Sequence, residues 1–119
     1  MANKIEKGNL LDISNFRNNG HEQMQTLLKI NSIELERIVS FGQSTPQGEW
    51  YEQSWDEWVM VAKGNAIVIL EDGQEFPMKE GDYTFIKRNI RHRVSYTSDD
   101  CIWLALHLKE EISENVQEK

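Results

Sequence analysis

The sequence predicts an all-β fold, an antiparallel sandwich or closed barrel, on three observations. From about Met24 onward, short β-prone segments recur at fairly even spacing between turn signals. Long amphipathic helical patterns are absent. In the first clear segment Ile33, Leu35, Arg37, Val39 and Phe41 alternate with Glu34, Glu36, Ile38 and Ser40, a strand with one mostly apolar and one mostly polar face.

That strand ends in the loop Gln43 to Gly48. Trp58 to Ala62 and Asn65 to Leu70 flank Lys63-Gly64, where Gly64 can take the positive φ of a tight turn, so the two are expected to pair as a hairpin. Asp72-Gly73 marks a second turn and Lys79-Glu80-Gly81-Asp82 a third before Tyr83 to Lys87, which together predict a meander. His92 to Tyr96 and Cys101 to Leu108 supply two closing strands joined by the polar turn Thr97 to Asp100. The acidic tail 109–119 has few apolar anchors and is expected as a short helical turn or a frayed end.

The 119 residues suit one domain over 1–119 with its core at about 23–108, and no repeat, low-complexity tract or linker divides them. Twenty acidic against thirteen basic side chains, a net charge of -7, disfavour nucleic acid and anionic lipid as partners. Cys101 is the single cysteine, and Met1 to Phe16 lacks the apolar stretch of a secretory signal, so a cytoplasmic protein is expected. The longest apolar runs have five residues, whereas a spanning helix needs about twenty. No Gly-rich phosphate loop, nucleophile elbow, paired-cysteine site or Rossmann fingerprint is present.

The chemistry-bearing stretch is Trp50 to Trp58. If Tyr51 to Gln53 is extended, these two side chains share a face, and Glu57 returns to it when the strand resumes in register. Tyr51-x-Gln53-x3-Glu57-x6-Gly64 resembles the first cupin motif, His-x-His-x3-Glu-x6-Gly. Gly81-x5-Lys87-x-Asn89-x2-His92-x3-Tyr96 resembles the second, Gly-x5-Pro-x-Gly-x2-His-x3-Asn. The likeness spans about Gln23 to Leu108 and is similar to a branch of small bacterial single-domain cupins, which implies a jelly-roll barrel and a homodimer. Two usual imidazole ligands are replaced by Tyr51 and Gln53, Lys87 stands for Pro, Asn89 for Gly, and Thr45 for the motif's leading Gly. Asn tolerates positive φ better than most residues.

The resemblance implies a divalent transition metal (iron, manganese, nickel or zinc) on Gln53, Glu57 and His92, with Tyr51, Tyr96, His107 and Arg91 toward a small-molecule ligand. Each has a plainer role beside it: His92 and His107 as hydrogen-bonded barrel histidines, Gln53 and Tyr51 as barrel filling, Glu57 as a surface carboxylate. The cluster Lys87, Arg88, Arg91 and Arg93 suits either an anionic ligand group or ion pairs with nearby Glu and Asp. On strict alternation Trp50 and Trp58 face away from Gln53 and Glu57, toward packing between sheets or a second subunit. Two functions follow: a metal-dependent dioxygenase or isomerase, or a metal-free pocket or structural module without catalysis.

Overall fold

The computed structural model describes residues 4–109. Eight strands follow in order: β1 (Gln23–Ile30), β2 (Ile33–Ser40), β3 (Asp56–Lys63), β4 (Ala66–Leu70), β5 (Glu75–Met78), β6 (Tyr83–Ile86), β7 (His92–Thr97) and β8 (Cys101–Leu108). They form a five-stranded sheet, β1-β2-β8-β3-β6, and a three-stranded sheet, β5-β4-β7. Every pairing between them is antiparallel. The expected tail lies outside the described residues beyond Lys109. Among the described residues no helix is long and apolar enough to cross a membrane.

The all-β prediction holds, but the meander does not. Of the turns expected to build it, only Asp72-Gly73 closes a hairpin, β4 with β5. At Lys63-Gly64 the chain crosses from one sheet to the other, because both edges of β3 are occupied by β6 and β8. Gly64 has φ +84°, and a Cβ there would overlap Ser98 Oγ and stand 3.0 Å from the Asp100 carbonyl. The turns at 79–82 and 97–100 cross in the same way, so the strands wind as a jelly roll.

Residues of both sheets meet in the core: Val59, Val61, Trp103 and Ala105 from the larger, Ala66, Val68 and Met78 from the smaller. The facing of β2 is unusual. Its polar row turns inward, with Glu36 and Ile38 on the barrel cavity, while Ile33, Leu35, Arg37 and Val39 share the outer row with Leu108, Leu106, Leu104 and Ile102 of β8. Part of that outer face is covered by the segment before β1: the Arg37 guanidinium donates to the carbonyls of Asn9, Leu10 and Asp12 and sits 4.9 Å over the Phe16 ring.

Candidate functional site

The two motif segments are held together by backbone. Tyr51 N donates to the His92 carbonyl (2.7 Å) and His92 N donates to the Tyr51 carbonyl (3.0 Å), an isolated bridge that extends the smaller sheet to the barrel mouth. Two residues on, Asn89 N donates to the Gln53 carbonyl at 2.7 Å. Asn89 sits at φ 65°, the left-handed conformation that its place in the motif requires. Thr45 buttresses this end: its N–H donates to the Val94 carbonyl, and its hydroxyl accepts from Val94 N.

A cavity of about 140 Å3 lies between the sheets and is lined by Tyr51, Gln53, Glu57, His92 and His107, among others. A wider depression at the mouth shares Glu22, Tyr51 and Val94 with it. Glu57 is 7% exposed and His92 6%. The Gln53 amide donates to Glu57 Oε1 at 3.2 Å. His92 Nδ1 lies 2.9 Å from the Ile90 carbonyl, which can only accept, so the ring proton sits on Nδ1 and Nε2 is left as the acceptor. Partial burial, then the charge of Glu22, push the Tyr51 phenol above its usual range, which keeps it a hydroxyl.

His107 belongs both to the cavity wall and to the packed core. The Trp55 indole N–H donates to its Nδ1 at 3.0 Å, and Nε2 faces Glu36 Oε1 at 3.0 Å. An indole is a donor only, so Nδ1 accepts and Nε2–H donates to Glu36. Both ring nitrogens are in use.

Two sequence candidates lie outside the cavity. A bulge in β7 pairs Ile67 with Tyr96 but Val68 with Val94, leaving Ser95 as the extra residue. His92 and Val94 therefore face inward while Tyr96, which strict alternation would also turn inward, faces out and is 48% exposed. Arg91 is drawn outward into ion pairs with Glu71 (2.6 Å) and Glu52 (3.7 Å). Two more members of the basic cluster are engaged: Arg88 pairs with Asp56, and Arg93 reaches the Thr45 carbonyl and lies over Trp50. Trp58 faces outward against Tyr83, with ring centroids 5.5 Å apart.

Sequence reasoning missed two acidic wall residues, Glu22 and Glu36. Glu36 was legible as part of the polar row of its strand, whereas Glu22 precedes the first strand and carries no periodic signal. The Ser40 hydroxyl donates to the Glu22 carboxylate at 3.0 Å. Burial pushes the Glu22 carboxyl above its usual range, and the charge of Glu36 adds to the shift.

As a metal centre the donor set falls short. Among the described residues no three of His, Cys, Asp and Glu gather closely enough to hold an ion. His107 has no free nitrogen, Tyr51 stays protonated, and Gln53 turns its amide nitrogen rather than its oxygen to Glu57. Glu57 and His92 remain as strong donors, fewer than the three protein ligands usual in catalytic metal sites.

The cupin domain family matches residues 37–107. Among solved structures, a candidate mannose-6-phosphate isomerase from Ralstonia eutropha JMP134 is 34% identical at a TM-score of 0.81, covering 89% of this chain and all of its own. A cupin superfamily protein from Desulfitobacterium hafniense (14% identity, TM-score 0.67, 80% of this chain and 83% of its own) shares the fold. So does a polyketide cyclase from Streptomyces resistomycificus (19%, 0.64, 82% and 79%). No curated protein matches the chain. With the family matched over more than half of its length and the two motif segments joined at Tyr51 and His92, the chain belongs to the cupin family.

Proposed function

We propose that this cupin binds a small polar metabolite in its barrel without a transition metal, using Tyr51, Gln53, Glu57 and His92. The observation that carries the reading is the state of the imidazoles. One is committed at both nitrogens, to Trp55 and Glu36, and the other offers a single acceptor, Nε2. Glu57 and that Nε2 are proton acceptors, which suits them to orient a ligand's donor groups or to take a proton from one. Dioxygenase or isomerase chemistry of the metal-dependent kind would need a third strong donor in the wall.

Elemental analysis of tag-free protein, beside Glu57→Ala and His92→Ala, tests this. Metal well below about 0.1 equivalent, with no thermal stabilisation by added iron(II), manganese, nickel or zinc, is expected. About one equivalent in wild type that disappears in both variants would overturn the reading.

The same reading includes a homodimer formed through the outer face of the five-stranded sheet. A sheet face turned to water is ordinarily polar, yet Leu28, Ile30, Ile33, Tyr83 and Phe85 are all more than a third exposed there. Light scattering should give twice the chain mass, and Phe85→Glu should shift it toward one chain; a wild-type monomer at micromolar concentration would refute the dimer.

A further inference from the structure

We infer that the ligand of the barrel is a small protonated amine rather than a phosphorylated or carboxylated metabolite. The inference rests on the metal-free reading above and adds the charge class. Glu22, Glu36 and Glu57 all line the cavity, and no Lys or Arg does. The arginines nearest the motif segments are tied to Asp56, to Glu52 and Glu71, and to the Thr45 carbonyl. An anion entering this cavity would meet carboxylates with no Lys or Arg in the wall to offset them.

Two independent features ask for a donor-rich cation. His92, 6% exposed, keeps Nε2 without a partner among the described residues. Glu57, 7% exposed, receives a single hydrogen bond, from an uncharged amide, whereas a carboxylate offers about four acceptor positions. An ammonium brings three donors, no acceptor and the compensating charge. Two aromatic residues, Tyr51 and Trp103, also line the cavity, and aromatic rings can hold a cation. Trp103, which lines the cavity, keeps a buried Nε1 without a hydrogen-bond partner among the described residues. Burial raises the Glu22 carboxyl, and the negative charge of nearby Glu36 adds to the shift. The cavity of about 140 Å3 is close to the roughly 150 Å3 that holds a six-atom ring in an engineered apolar site.

The test is calorimetry on the full chain with three probes of matched length: 4-aminobutan-1-ol, butane-1,4-diol and 4-hydroxybutanoate, beside mannose 6-phosphate and zinc chloride. The amine should bind about tenfold or more tighter than the diol, and neither anion should bind. Glu57→Gln should erase that preference, and Glu22→Gln, which keeps an acceptor for Ser40, should reduce it in a variant whose fold is undisturbed. Equal or tighter binding of the diol or an anion would overturn the amine assignment and leave the metal-free pocket standing. Zinc binding at about one equivalent with no amine binding would overturn both. No binding by any probe would overturn the amine assignment.

Discussion

Trp55 and His107 are joined edge to face, with ring centroids 6.0 Å apart at 77° and the indole N–H directed to imidazole Nδ1. Trp55→Phe keeps the ring contact and removes the donor. A buried acceptor left unpaired costs about 1–3 kcal/mol, so urea unfolding should show a loss in that range. Long-range nitrogen NMR should find the His107 proton on Nε2 in both proteins, because Glu36 still accepts it, with the Nδ1 resonance moved in the variant by loss of its donor.

Gly64 stands where the chain passes between sheets, at φ +84° with Ser98 and Cys101 packed against it. Gly64→Ala combines left-handed strain with overlap on Ser98 Oγ and tight contact with the Asp100 and Cys101 backbone, and should cost at least about 2 kcal/mol. An unchanged unfolding midpoint would show that the crossing relaxes more easily than the geometry indicates.

Cys101 is fully buried, and burial is the largest cause of a thiol pushed up to about 12. Thiolate is the reactive form. Ellman's reagent should therefore leave the native protein unmodified at pH 8 and titrate one thiol in denaturant.

Glu22 should reveal itself in the pH dependence of stability. Its carboxyl is raised above the ordinary 4.5 by burial, with Glu36 adding to the shift and the Ser40 hydroxyl opposing it. The native state therefore holds this proton more tightly than the unfolded chain. Stability is undiminished below 4.5 and falls as pH rises toward the native value, beyond which the loss is constant. Glu22→Gln removes this term, so its advantage over wild type should be absent near about pH 4 and present near about pH 7. A constant difference across that range would assign the effect to packing instead.

The sequence carried the fold class and the inward facing of Glu57 because period-two alternation and turn residues are local signals. The inter-sheet crossings were not legible, since a turn such as Lys63-Gly64 has the same local chemistry whether it joins partners or separates them. Motif spacing located Gln53, Glu57 and His92 around one cavity, and the tolerance of Asn for positive φ explained Asn89 in place of Gly. Tyr96 failed because a single extra residue inverts alternation, and nothing in Ser95 itself marks a bulge. The double engagement of His107 depends on partners 52 and 71 positions away, Trp55 and Glu36, a pairing only the closed barrel creates.

The bulge at Ser95 also makes strand register a control on whether this barrel is hollow. Past Ser95 the inward parity passes from Tyr96 to Thr97, so the phenol that would have occupied the interior lies on the outside. Drawing Ser95 into the ladder, so that the bulge is straightened and no residue is skipped, would restore uninterrupted alternation and carry the ring inward, plugging the vessel with its own wall. The free space is thus set by pairing register as much as by residue identities, and a one-residue slip in that register is a short route between a receptive barrel and a solid one.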